Sequence, residues 1–168
     1  YDPEHPSQHI IDMSENEIEV PEDYTREELR QDLLCYTSPV LKEDLVLTGD
    51  MTAELYISSD APDTDFVVRV TDVDENGRSI KLADGLLSAR YRNGFARSEF
   101  LQEGEIVCLK IRTTKLSNCF RKGHRIRVTV TSSAKNFIFP NSNTREGFAS
   151  ARTVVAHNRV YHLSLIHI

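Results

Sequence analysis

The sequence predicts an all-β fold, an antiparallel β-sandwich with one short helix near its N-terminus. Three observations carry that prediction. Stretches with strand character recur along the chain, most clearly "EIVCLKIRTT" (105–114) and "HRIRVTVTSS" (124–133). In the second, Ile126, Val128 and Val130 fall on one face and Arg125, Arg127 and Thr129 on the other, the period of two that a pleated strand imposes. Turn chemistry separates the stretches, above all Asn76-Gly77 within "DENGR", the strongest short hairpin signal. Finally, no internal repeat is found, which argues against a propeller or β-helix and leaves two packed sheets as the way to bury many short strands.

Taken in order, residues 1–24 read as an irregular leader, polar and acidic, broken by Pro3, Pro6 and Pro21. In "TREELRQ", Thr25 and Glu28 have the spacing of a capping box, and Glu27 and Glu28 suit the positive end of a helix, so two turns ending near Asp32 are expected. Residues 25–162 hold the sandwich. "DLVLT" (44–48) and "TAELYISS" (52–59) flank the turn pair Gly49-Asp50, and "FVVRVTDV" (66–73) is apolar enough to be buried on both faces. After the Asn76-Gly77 turn a return strand follows, with a bulge or bend expected at Asp84-Gly85. "ARTVVAHN" and "RVYH", joined at Asn158, read as a closing hairpin. The last six residues, "LSLIHI" (163–168), are what CTGTCTCTTATACACATC encodes. That string resembles a transposase mosaic-end adapter, so they are set aside from the fold. With Tyr1 rather than Met at the start, a fragment cut at both ends is expected.

Composition narrows the function classes. A chain of 168 residues is of single-domain size, able to bury about 70% of its unfolded surface. A net charge of -6 gives no support to a nucleic-acid partner or to a polybasic membrane contact. No apolar run approaches the roughly 20 residues that span a bilayer. Cys35, Cys108 and Cys119 are odd in number, widely spaced and without a CxxC pair, which suits free thiols in a reducing, cytoplasmic setting better than disulfides or zinc.

Three residue sets are candidates for chemistry. A serine-hydrolase elbow needs G-x-S-x-G, and none occurs. The histidines show no HExxH or other close ligand pairing; His5 and His9 are four apart with a proline between them, and His124 reads as a turn residue at a sheet edge. "SDAPDTDF" (59–66) gathers Asp60, Asp63 and Asp65, yet its spacing breaks the EF-hand pattern, with Pro62 at a ligand position and Thr71 where the twelfth-position Glu belongs. The structural reading is a turn capped by Asp60 and Asp63. Asp65 would enter the next strand, where burial demands a cationic partner such as Arg90 or Arg127. No catalytic, cofactor-binding or metal-binding residue is assigned, and no cofactor is expected.

Read together, "YDPEHP", "LLCYTSPVLKEDLVLTGDMTAELYISSDAPDTDFVVRVTDVDENGRSIKLADGLLSARYR", "SNCFRKGHRIRVTVTSSAKNFIFPNSNT" and "VYH" resemble the C-terminal domain of the CocE/NonD hydrolases, shared with Xaa-Pro dipeptidyl-peptidases, cocaine-esterase-type acyl hydrolases and α-amino-acid ester hydrolases. The resemblance runs from Tyr1 to about His162. It implies a jelly-roll (galactose-binding-like) sandwich packed on an α/β-hydrolase domain of the same parent chain, with the Ser-Asp-His triad upstream of the matched segment. The expected function is therefore that of a non-catalytic domain of a serine hydrolase acting on peptides, esters or acyl amides, buttressing the catalytic domain and shaping its pocket. The fragment itself would be inactive. The alternative is a free-standing carbohydrate-binding module, for which Phe137 and Phe139 are the best exposed aromatics, while Tyr56, Phe66 and Tyr91 read as core. One departure stands out: "SQHIIDMSENEIEVPED" lacks the Gly-Gly pair that many relatives carry there.

Overall fold

A computed structural model describes residues 1–10, 21–162 and, as backbone alone, 165–167. Its described residues form ten strands: β1 (Leu34–Thr37), β2 (Leu45–Gly49), β3 (Thr52–Ser58), β4 (Asp65–Val73), β5 (Ser79–Ser88), β6 (Val107–Arg112), β7 (Leu116–Phe120), β8 (Arg125–Thr131), β9 (Arg159–Val160) and β10 (Leu165–His167). Every strand pair is antiparallel. One sheet runs β1-β8-β4-β5. The other runs β10-β3-β6 with β9 also on β3, and β2-β7 forms a separate ribbon. This is the expected all-β jelly-roll sandwich.

The core lies between the sheets, built by alternation. Ala53, Leu55 and Ile57 of β3 and Leu109 and Ile111 of β6 meet Phe66, Val68 and Val70 of β4 and Val128 and Val130 of β8. The opposite face of β4 is buried as well, as its apolar run suggested, because residues 1–10 and 21–32 lie over it. That face is polar. Arg69 is fully buried with its guanidinium 3.7 Å from the Tyr24 ring centroid, a cation–π contact of the strong, desolvated kind. Glu28 takes Arg127 Nη1 at 2.6 Å and the Ser79 hydroxyl at 2.8 Å. Ser7 is tied to Ser133, donating its hydroxyl to the Ser133 carbonyl at 2.6 Å. Farther along, Lys81 Nζ sits among Glu22 Oε1 (2.5 Å), Asp84 Oδ2 (3.2 Å) and His9 Nε2 (3.1 Å), the cation that these groups hold.

Three local expectations are corrected. The two-turn helix is a single 3-10 turn, Glu27–Leu29, with no side-chain cap. Glu28 leaves its cap position to pair with Arg127, and Thr25 accepts instead from the Ser79 amide. The β4–β5 bulge is at Leu82, skipped between Ala83 opposite Val70 and Lys81 opposite Thr71, rather than at Asp84-Gly85. The closing hairpin is absent: only Arg159–Val160 pairs, with Ile57 and Ser58, because the amides before it are taken by Ser142, Tyr1 and Asp60. The segment set aside as an adapter places β10 against Thr52–Glu54. Of the glycine-free stretch 7–23, residues 11–20 fall outside the described residues.

Candidate functional site

Because β4 is antiparallel to both β5 and β8, its first residue lies beside the last residues of each. Three connections therefore converge at one end of the sandwich: 59–64, 89–106 and 132–158. The "SDAPDTDF" acids sit at their centre: Asp63 binds both other connections, while Asp60 and Asp65 bind residues of 132–158.

Asp63 is fully buried and takes Arg90 twice, from Nε at 2.7 Å and from the backbone amide at 2.9 Å. The Arg90 guanidinium is completed by the Thr144 and Arg145 carbonyls at 3.0 and 3.1 Å. Asn141 Nδ2 lies between two acids, 2.8 Å from Asp63 and 2.9 Å from Asp65. Its own Oδ1 accepts the Asn143 amide at 2.9 Å, which holds Asn143 at a φ of 62°. Gly147 also has positive φ, and a Cβ there would crowd the Arg90 guanidinium. Asn158 joins Ser59, Thr64 and Ser132, and Asp60 reaches His157 through both its amide and Nδ1.

The expected Asp65–arginine pair is thus corrected. The buried arginine pair belongs to Asp63 and Arg90, while Arg127 goes to Glu28 on the opposite face of the sheet. Asp65 is 6% exposed with neutral donors on it. Burial pushes its carboxyl above the usual carboxylate range, and hydrogen bonds from Ser88 and Asn141 offset this in part. Asp60 and Asp63 do not cap their own turn; they grip distant segments.

A cavity of about 220 Å³ opens over this floor, lined by Asp63, Asp65, Arg90, Tyr91, Phe139 and Phe148 among others. Its rim is aromatic and bare. Phe139 and Phe148 are 81% and 78% exposed, with ring centroids 6.1 Å apart at 27°. Phe95, 79% exposed, extends the patch through its contact with Tyr91 at 5.5 Å. Glu146 also lines the cavity, its carboxyl held low by the Thr144 hydroxyl. Phe137 is less available than expected, because it stacks on the buried His9 at 4.8 Å. Phe66 is core as expected, whereas Tyr56 and Tyr91 are only partly buried. Among the described residues no three His, Cys, Asp or Glu side chains are arranged to hold a metal ion.

Fold and site together define a jelly-roll β-sandwich domain with one aromatic, polar-floored end. The chain belongs to the family of X-Pro dipeptidyl-peptidase C-terminal non-catalytic domains, whose model matches residues 3–164. It is 41% identical over 123 residues to the cocaine esterase of Rhodococcus sp. (strain MB1 Bresler), an alignment covering 73% of this chain and 21% of that protein. Its structure is similar to that of an aminopeptidase from a marine sediment Thaumarchaeota archaeon, with a TM-score of 0.86 and 26% identity over 95% of this chain and 30% of that one. An α-amino-acid ester hydrolase shares the fold, with a TM-score of 0.82 and 22% identity over 96% of this chain and 29% of that one. The chain thus spans about a fifth to a third of the relatives it matches.

Proposed function

We propose that this chain is the accessory domain of a serine hydrolase of the dipeptidyl-peptidase and acyl-esterase class, and that it docks on an α/β-hydrolase domain through its aromatic end. There it forms one wall of the substrate pocket. The observation that carries this reading is the contiguous run of bare phenyl rings, Phe95, Phe139 and Phe148, fixed on loops tied down by Asp63, Arg90 and Asn141. An apolar patch held on a rigid, polar-clamped base is what a partner surface leaves behind. The peptide, ester and acyl-amide substrates rest on the sequence resemblance and on the relatives, a cocaine esterase and an aminopeptidase. A cytoplasmic setting is supported by the three free cysteines.

Expressed alone, the chain should hydrolyse neither p-nitrophenyl butyrate nor an Xaa-Pro p-nitroanilide. The complete reading frame in the source DNA should encode a G-x-S-x-G elbow upstream of Tyr1 and cleave at least one of the two. Turnover by the chain alone, or a reading frame without the elbow, overturns the reading. The carbohydrate-binding alternative rests on Phe137 and Phe139, of which only Phe139 belongs to this patch; saturable binding of a soluble oligosaccharide by the isolated chain would favour it.

A further inference from the structure

We propose that the cavity at the aromatic end is a receptor for one basic side chain, an arginine or lysine presented by the docked hydrolase domain. The inference rests on the docking reading above and specifies what enters the cavity.

Charge is the first argument. Asp63, Asp65 and Glu146 line the cavity with one cation, Arg90, beside them in the lining, and Arg152 and Arg145 act on Glu146 from outside it. Arg90 is already spent: its guanidinium is held by Asp63 and by the carbonyls of Thr144 and Arg145. Asp65 has Asn141 and Ser88 on it, both neutral donors, although it is among the most buried acids of the molecule. Arg90 acts on Asp65 only through space, from its seat on Asp63; a buried carboxylate without a cation of its own is costly, and a second cation lowers that cost.

Shape is the second argument. The walls are π faces: Phe139 and Phe148 stand nearly parallel and exposed, with Tyr91 beside them. A ring face attracts a cation and also packs its methylene stem. Acidic floor, aromatic walls and about 220 Å³ of space match a guanidinium or ammonium head on an aliphatic chain. The same molecule already shows the pairing in miniature, with Arg145 over the Phe100 ring at 4.5 Å.

The test titrates the isotopically labelled chain with n-butylguanidinium, n-butylammonium and, as the neutral isostere, n-butylurea, following amide shifts. Both cations should give saturable shifts at Ser88, Asn141, Gly147 and Phe148, with a dissociation constant on the order of 10 mM expected for a lone side-chain mimic. Butylurea should not saturate. Asp65→Asn should weaken the cations about tenfold or more, as expected for loss of a desolvated charge partner. Phe148→Ala and Glu146→Gln, at exposed positions that leave the fold intact, should each weaken them several-fold. Equal binding of butylurea, absence of saturable shifts, or full affinity in both exposed-site variants overturns the proposal.

The complete hydrolase supplies the second arm. With the partner's own basic side chain in place, butylguanidinium should no longer shift these amides. If they still respond although the two domains unfold as one unit, the cavity is unfilled by the partner and this proposal falls while the docking reading stands. Two independent unfolding transitions would instead remove the docking reading.

Discussion

At Asp65 burial and hydrogen bonding act in opposite senses, and burial prevails, so its carboxyl holds a proton above the pH at which an unfolded aspartate releases it. Below the ordinary value of 3.8 both states are protonated and the residue contributes no pH dependence. As pH rises through the window above 3.8, the unfolded chain loses its proton first, and stability falls with pH on account of this group. Asp65→Asn removes that dependence. The stability of the variant minus that of the parent should therefore climb with pH across the window and then level off. Urea midpoints taken at a series of pH values measure it, and a flat or descending difference would show that Asp65 is not penalised by burial. Asp63 behaves differently because it has its arginine. Asp63→Ala strands a buried guanidinium and should cost about 3–5 kcal/mol in urea unfolding. Asp60→Ala, which loses a largely exposed contact to His157, should cost below about 1 kcal/mol. Equal costs would contradict the division of labour among the three acids. That these acids were architectural was legible in the spacing of "SDAPDTDF"; which partner each faced was not, because the choice depends on strand register and on loops far apart in sequence.

The β4–β5 hairpin contains both a legible glycine and a hidden one. Asn76-Gly77 announces its turn through local chemistry alone. Gly77 has a φ of 83°, and the Asp74 carboxylate closes the turn on the Asn76 and Arg78 amides. Gly77→Ala should cost about 1 kcal/mol, the price of a left-handed φ with open space around the new methyl. Gly85 has no such signature. It faces the second sheet where β5 passes the end of β6, and a Cβ there would fall inside the contact distance of the Arg112 carbonyl oxygen and of Thr113 Cα, both backbone atoms. Gly85→Ala should therefore be the worse substitution, at about 1–3 kcal/mol or more, because main chain has to move. Urea midpoints compare the two directly, and a Gly85→Ala protein as stable as the parent would rule out the close approach. The missed helix has the same origin as the hidden glycine. Glu28 satisfies the capping-box spacing, yet Arg127 and Ser79 offer it a buried site that a cap cannot match.

Across the whole molecule, polar surface is spent inside and apolar surface is left at one end. Residues 1–10 and 21–32 cover the outer face of the β1-β8-β4-β5 sheet with Tyr24, Glu28, Ser7 and His9, sealing a charged layer over Arg69, Arg127 and Lys81. Phe95, Phe139 and Phe148 meanwhile lie in the open. The alternation of strands made the sandwich legible, but nothing periodic marks these rings, since loop residues take their exposure from how the loops are tethered. If the rings are a docking face, their contribution appears only when the partner is present. In the isolated chain, Phe139→Ser with Phe148→Ser should change stability by no more than about 0.5 kcal/mol per site, as for other exposed positions. In the complete hydrolase, where each ring would be removed from water, the same pair should cost on the order of 2 kcal/mol per ring. That loss should appear as a lowered cooperative transition or as separation into two. Calorimetry on both proteins decides the matter: a large loss in the isolated chain would make the rings part of this domain's own packing, and no loss in the complete protein would place the interface on another face.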